Sequence, residues 1–231
     1  MMMKPSEYDY LERPRQFDRD DFWRQVRRTV KGQPVEDGQI RMIVDQVVQE
    51  LGLLPADGLI DIGCGNGALT RYFEPYAQRI LGVDYSRYLL EIAQEYFATP
   101  RLSFELLSIE NLIQSQRHVE YGKALLYGVS SYLTDELLTQ LVGWYFSTSA
   151  PRTLFVGNIR DKALAAEFYD HETSEQELSD PTTSIGKWRT RDWFRRLAQD
   201  LGLELALVKM PSDFYLSHYY FDAIFTTRSA P

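Results

Sequence analysis

An apolar strand that runs directly into three closely spaced glycines is the feature that most restricts the fold of this chain. Residues 59–62 read LIDI and residues 63–67 read GCGNG. Such apolar strands are buried on both faces of a parallel sheet, and glycines past the carboxyl end let the backbone turn sharply and approach a ligand closely. The pattern predicts a nucleotide-like cofactor at this loop, and a helix beginning near Ala68 whose N-terminus faces that ligand.

The glycine pattern alone leaves the identity of the cofactor open. A second apolar strand, residues 79–83, ends at Asp84. Gly63, Gly65 and Ala68 therefore also satisfy the dinucleotide fingerprint, in which an acid about 20 residues further on holds ribose hydroxyls. An NAD(P)-dependent oxidoreductase is one interpretation of this motif.

Strands and helices alternate along the rest of the chain. Helical spacing of apolar residues predicts a helix from Ile40 to Leu51 that ends at Gly52. The apolar runs predict further strands at residues 101–107, 123–127, 153–156, 203–209 and 219–227. No helix separates the last two runs, and consecutive strands without a crossover are antiparallel. The last strand should therefore reverse an otherwise parallel sheet.

Residues 61–67, DIGCGNG, and 82–86, GVDYS, resemble the two signature motifs of the class I S-adenosylmethionine-dependent methyltransferases. In that family the first motif has the form hhDhGCGxG and the second strand ends as GhDxS, where h is apolar. The resemblance begins near residue 40 and becomes loose after residue 130. It implies a three-layer, Rossmann-like α/β fold with a mostly parallel seven-stranded sheet and an antiparallel last strand, and S-adenosylmethionine as cofactor.

The resemblance also assigns roles at the cofactor site. It places the loop backbone against the amino-acid and ribose parts of the ligand, Asp61 near its ammonium group, Asp84 on the ribose hydroxyls and Tyr85 beside the adenine. Ser108 stands where the family often has an acid, so its hydroxyl or the Ile109 backbone would contact the adenine. The predicted cofactor residues are Asp61, Gly63, Cys64, Gly65, Gly67, Asp84, Tyr85, Ser108, Ile109 and Tyr127. A helix-capping role for Asp84 and a sheet-edge role for Tyr127 are the structural alternatives.

Composition excludes several classes of protein. The 231 residues carry a formal charge of −8, which argues against a nucleic-acid-binding protein, since such binding relies on a basic surface. No apolar run approaches the roughly 18 residues of a membrane span, and the first residues lack a signal-peptide core, so we expect a cytoplasmic protein. Cys64 is the only cysteine and the three histidines are not spaced as metal ligands, so no metal site is expected.

The chain divides into a helical extension or cap, residues 1–52, and a cofactor-binding domain, residues 53–231. An amphipathic helix is expected shortly after Asp20. The arginines of residues 13–28 could meet an anionic substrate, but interleaved acids favour a solvated helix face. Residues 161–187 are too long and polar for a simple connection, and predict a lid over the substrate.

The predicted activity is methyl transfer from S-adenosylmethionine to a small-molecule acceptor. Residues 127–130 read YGVS, unlike the Asn-Pro-Pro-Tyr type of tetrapeptide found in families that methylate amines of bases or glutamine, so oxygen is the expected acceptor atom. His171, in the lid-like segment, is the candidate general base, with an exposed loop histidine as the alternative. A non-catalytic partner that retains the fold is a further alternative, disfavoured by the intact glycines and Asp84.

Overall fold

A computed structural model describes residues 3–228 of the chain. Before the main sheet, the elements are α1 (Pro5–Leu11), α2 (Phe22–Gln25), β1 (Thr29–Val30), β2 (Gln33–Pro34) and α3 (Asp37–Leu51). The elements that follow are β3 (Gly58–Ile62), β4 (Arg79–Asp84), α4 (Arg87–Phe97), β5 (Leu102–Leu106), α5 (Ile109–Ile113), β6 (Lys123–Tyr127), α6 (Asp135–Tyr145), β7 (Thr153–Arg160), α7 (Glu175–Ser179), α8 (Arg191–Asp200), β8 (Glu204–Val208) and β9 (Tyr220–Thr226).

Seven strands form the main sheet in the order β5-β4-β3-β6-β7-β9-β8. The pairs from β5 to β7 are parallel, whereas β9 is antiparallel to both β7 and β8. This arrangement confirms the predicted doubly wound α/β fold with a reversed last strand. The strand order changes direction between β3 and β6, and ligands of open α/β sheets bind at the carboxyl ends of the strands beside such a point.

Apolar cores cover both faces of the sheet, as the continuous apolar character of the strands predicts. Leu59 faces one core, with α3 and α4, and its neighbour Ile60 faces the other, with α5, α6 and α8. The predicted α3 is confirmed, and it ends at Gly52 in a left-handed conformation with φ of 54°. The sheet therefore fixes the loops that follow β3, β4, β6 and β7.

The helix predicted after the glycine loop is wrong. Residues Thr70–Tyr76 form a short 3₁₀ helix that contains Pro75. Proline has no backbone N–H and disrupts an α-helical interior, so an α-helix cannot continue through this residue. The loop consequently has no α-helix N-terminus to offer a ligand, and its backbone and the acids beside it remain as the binding groups.

The extension also differs from its prediction, because α2 contains only four residues. It is followed by the β1–β2 hairpin rather than by further helix. The extension contacts the segment predicted as a lid: Ser6 N donates to Thr182 O at 3.1 Å, and Arg27 donates to Ser184 O at 2.9 Å. Residues 161–187 are not irregular throughout, since they include α7. Among the described residues, no helix combines the length and apolarity needed to cross a bilayer.

Candidate cofactor and acceptor cavity

A cavity of about 580 Å³ lies at the carboxyl edge of the sheet. Its floor consists of residues at, or just after, the carboxyl ends of β3, β4, β5, β6 and β7. Its cover comes from the N-terminal extension and from Pro181 and Thr182 of the 161–187 segment. Two separate parts of the sequence therefore close over the same edge, which is where open α/β sheets bind ligands.

The glycine loop is shaped by backbone conformations that favour glycine. Gly63, Gly65 and Gly67 have φ values of 76°, 57° and 73°. A Cβ on Gly63 would lie 2.4 Å from Val129 Cγ2, and one on Gly67 would lie 2.7 Å from Phe104 Cζ. Gly63 and Gly65 line the cavity, whereas Gly67 does not and is required by packing. Gly67 is thus a predicted cofactor residue that lies outside the cavity lining.

Asp84 connects the ends of β3 and β4. Its two carboxylate oxygens accept from Ser86 N and Gly65 N, each at 2.8 Å. Burial raises the pKa of Asp84, and these N–H donors lower it in part. A carboxylate oxygen can accept more than one hydrogen bond, so both oxygens retain capacity for the two hydroxyls of a ribose. The residues present therefore fit the ribose of S-adenosylmethionine.

Asp61 lies beneath the glycine loop and is 3% exposed. Burial raises the pKa of its carboxyl to about 7; the Asp84 charge adds to this effect, while the hydrogen bond from Thr70 opposes it. Thr70 Oγ1 donates to Asp61 Oδ2 at 2.7 Å. A cation bound in the cavity beside Asp61 would favour the ionised carboxylate, which suits the ammonium group of the cofactor.

The remaining predicted cofactor residues have different degrees of exposure. Tyr85 is 44% exposed at the cavity rim, and Tyr127 is 8% exposed at the end of β6. Ser108 and Ile109 also line the cavity, although the Ser108 hydroxyl already accepts from Asn111 N at 3.3 Å as the cap of α5. Cys64 is buried, and burial raises the pKa of its thiol well above the usual value, so a packing role suits it better than a nucleophilic one.

His171 is not among the residues that line the cavity. Its exposed imidazole lies between two surface acids, with Nδ1 3.2 Å from Asp170 Oδ1 and Nε2 3.3 Å from Glu177 Oε1. Hydrogen bonds to these carboxylates raise the pKa of His171. The geometry does not support the predicted general base, because a base must reach the proton it removes.

Asn66 was not identified from the sequence, and it attaches the extension to the glycine loop. Its Nδ2 donates to Phe22 O and to Gln25 Oε1, each at 2.8 Å. Gln25 is fully buried and donates to the carbonyl oxygen of Asp18 at 2.7 Å. The extension also reaches the loop through Val26, whose Cγ1 would lie 3.0 Å from a Cβ on Gly65.

Further polar residues lie on the opposite side of the cavity, and the sequence gave no signal for Asn158 and Arg160 among them. Arg28 comes from the extension, Asn158 and Arg160 from β7, and Tyr220 from the start of β9. The Arg28 guanidinium lies over the Tyr127 ring, with Cζ 4.9 Å from its centre, rather than on the solvated face expected for this charge run. The β7–β9 register shifts between Val156 and Ile159, an irregularity of the kind that redirects side chains beside a site.

A family model for the methyltransferase domain matches residues 59–142. Among solved structures, a S-adenosylmethionine-dependent methyltransferase from Anabaena variabilis is 23% identical, over 95% of this chain and 98% of that chain, with a TM-score of 0.55. The N-methyltransferase NodS from Bradyrhizobium japonicum is 15% identical, over 84% and 99%, with a TM-score of 0.61. Magnesium protoporphyrin IX methyltransferase from Synechocystis, with bound S-adenosylhomocysteine, is 19% identical, over 90% and 94%, with a TM-score of 0.61. The comparison with curated proteins gives no match.

Proposed function

We propose that the chain is a class I S-adenosylmethionine-dependent methyltransferase, that it methylates a small molecule held in the covered cavity, and that the accepting atom is oxygen. The match of residues 59–142 to a methyltransferase-domain model supports the enzyme class. The observation that carries this proposal is the cover itself. The extension and the 161–187 segment meet above the carboxyl edge through Ser6 and Thr182, and enclose about 580 Å³. A space of this size is typical of small-ligand sites, and must hold both cofactor and acceptor.

The cofactor occupies the side of the cavity formed by β3, β4 and β5. Asp84 accepts from the ribose hydroxyls, Asp61 faces the ammonium group, and Tyr85, Ser108 and Ile109 surround the adenine. S-adenosylmethionine supplies a methyl group on a positively charged sulfur when it is bound.

Arg28 is the residue of this chain best placed for the cofactor carboxylate. Arg28 and Asp61 both line the cavity, and the positive charge of Arg28 acts to lower the pKa of that acid. They do not form an ion pair, and the buried Nε and Nη1 of Arg28 have no hydrogen-bond partner among residues 3–228. The amino-acid part of S-adenosylmethionine carries an ammonium group and a carboxylate. Asp61 is the partner for the ammonium group, and Arg28 is the partner for the carboxylate.

The acceptor occupies the side formed by β6, β7 and β9. Tyr127, Tyr215 and Tyr220 line it, and burial raises the pKa of each hydroxyl, so these groups stay protonated at neutral pH. They position an acceptor rather than remove its proton. Methyl transfer is an in-line displacement, so holding the acceptor oxygen in line with the methyl group supplies much of the rate enhancement.

An acceptor screen tests this proposal. The purified chain is incubated with S-adenosylmethionine that carries an isotopically labelled methyl group, together with sets of small phenols, alcohols, carboxylic acids and amines. We expect label in an oxygen-methylated product, located by mass-spectrometric fragmentation, and weaker transfer by the Asp84→Asn variant. Transfer only to amines would contradict the oxygen assignment. Transfer only to macromolecules would contradict the small-molecule assignment.

A further inference from the structure

Arg160 is a partly buried arginine whose charge has no counterion among residues 3–228. Its buried Nε has no hydrogen-bond partner among residues 3–228, and no carboxylate of those residues forms an ion pair with it. The two arginines that are almost fully buried, Arg152 and Arg189, differ. Arg189 bonds to Asp135 and to the carbonyl oxygens of Ser130 and Leu133, and Arg152 bonds to two carbonyl oxygens. A buried charge without a partner is costly, so Arg160 calls for an explanation beyond packing.

Aromatic rings hold the guanidinium of Arg160 in place. Its Cζ lies 5.6 Å from the centre of the Tyr220 ring, and the β7–β9 register pairs the two residues directly. A cation over a ring face is attracted to it without using its N–H donors. The contact with Tyr220 therefore uses none of the N–H donors of Arg160, and the unpaired Nε remains available to another partner.

Neutral polar side chains line the cavity together with Arg160, and the charged side chains of Glu7 and Arg27 line it as well. Tyr10 from α1 and Tyr132 meet edge to face, with ring centres 5.2 Å apart, and both line the cavity beside Arg160. Burial raises the pKa of Tyr10 and of Tyr220, so both hydroxyls remain donors at neutral pH. Asn158 contributes a further polar side chain from the irregular part of β7. The acids proposed to bind the cofactor, Asp61 and Asp84, lie at the carboxyl ends of β3 and β4 instead.

We propose that the acceptor carries an anionic group, a carboxylate or a phosphate, and that Arg160 binds this group together with the Tyr10 and Tyr220 hydroxyls. This inference rests on the proposed function, because it assigns a chemical class to the acceptor of that reaction. One guanidinium and two hydroxyl donors match the several acceptor oxygens of a carboxylate or phosphate. The anion would supply the counterion that the chain itself does not provide.

Binding to the protein loaded with S-adenosylhomocysteine tests the proposal. Calorimetry compares 4-hydroxybenzoate with 4-hydroxybenzamide, a pair that differs mainly in charge, and phenyl phosphate with phenol, a pair that differs by the phosphate group. We expect at least one anion to bind at least tenfold more tightly than its neutral counterpart. The pair that shows the difference identifies carboxylate or phosphate as the preferred group.

Variants then locate the binding site of the anion. Arg160→Gln should weaken binding of the preferred anion about tenfold or more, in the range expected for hydrogen bonds to a charged group. Arg160→Lys should recover part of this lost affinity. Arg195→Gln, at an exposed arginine, is the control and should leave the affinity unchanged. Affinity for S-adenosylhomocysteine should change less than about twofold in each folded variant.

Two kinds of failure can be separated. If the unmodified chain does not bind S-adenosylhomocysteine, the proposed function fails. If it binds that ligand but neither anion is preferred over its neutral counterpart, only the anionic acceptor is overturned. An unchanged anion affinity in both Arg160→Gln and Arg160→Lys overturns the assignment of Arg160.

Discussion

The side-chain amide of Asn66 donates to the buried side-chain oxygen Oε1 of Gln25 at 2.8 Å, across 41 residues of sequence. This hydrogen bond joins the glycine loop to the extension that covers it. Because Asn66 also donates to the Phe22 carbonyl oxygen, one loop residue holds two successive parts of the cover. Loop geometry and cover position are therefore coupled, and a change in one should be measurable in the other.

Replacement of Asn66 by alanine should release the cover from the loop. We expect a loss of about 1–3 kcal/mol in the free energy of unfolding, because the buried side-chain oxygen Oε1 of Gln25 loses its hydrogen-bond donor. Hydrogen exchange should become faster in residues 18–28. Asn111→Ala is the control, since Asn111 is exposed and contributes only its backbone N–H at the α5 cap. Unchanged exchange in the extension would show that other contacts hold the cover.

Replacement of Asp84 by asparagine should weaken binding of S-adenosylmethionine. The amide keeps one acceptor oxygen but loses the charge, and we expect a cost of about 1.5–3 kcal/mol in binding free energy. Calorimetry gives the affinity, and circular dichroism checks that the variant folds. Asp192→Asn, an exposed acid in α8, provides the comparison. Equal cofactor affinity in the Asp84 variant and the unmodified chain would exclude Asp84 from the site.

The strands and the glycine loop followed from local patterns, whereas the cover did not. A parallel strand buried on both faces is apolar throughout, so β3 and β4, and with them Asp61 and Asp84, could be located from sequence. The strand and glycine-loop pattern predicted a helix beginning near Ala68, but residues Thr70–Tyr76 form a 3₁₀ helix that contains Pro75. Local spacing also cannot show which residues of an irregular extension touch a distant loop. Gln25 and Asn66 are polar residues that would ordinarily be exposed.

The positions of Arg28 and Arg160 in the cavity could not be predicted from the sequence, for a related reason. A charge run with interleaved acids is usually a solvated face, and nothing in the sequence distinguishes Arg28 from its neighbours. Arg160 comes two residues after the point where the β7–β9 register changes, and its side-chain direction depends on that change. Register shifts of this kind arise from pairing between distant strands, so they are not encoded in the local pattern of residues 153–160.

Replacement of His171 by alanine tests the sequence-based assignment of a base against the structure. Because the imidazole is exposed and bonded to Asp170 and Glu177 outside the cavity lining, we expect turnover to change less than about twofold. The measurement is single-turnover transfer of a labelled methyl group with saturating cofactor. A decrease of about 10²-fold, at unchanged cofactor affinity, would instead support general-base catalysis by His171.

The raised pKa of Asp61 determines how its ionisation affects stability. An unfolded aspartate has a pKa of about 3.9, whereas burial raises that of Asp61 to about 7. Between these values the native state binds more protons than the unfolded state, so the contribution of Asp61 makes the free energy of unfolding fall as pH rises. The contribution of Asp222 also makes the free energy of unfolding fall as pH rises, since burial raises its pKa to about 7. Asp61→Asn and Asp222→Asn should each reduce this slope in urea titrations.

Cofactor binding distinguishes Asp61 from Asp222. Only Asp61 lines the cavity, and an ammonium group beside it would favour its ionised form, so binding below about pH 7 should release a proton. The affinity for S-adenosylmethionine should then rise with pH between about 5.5 and 7, by up to about tenfold per unit. Calorimetry in two buffers of different ionisation enthalpy measures the proton released. We expect this release to disappear in Asp61→Asn and to persist in Asp222→Asn; equal release in both variants would show that the ammonium group binds elsewhere.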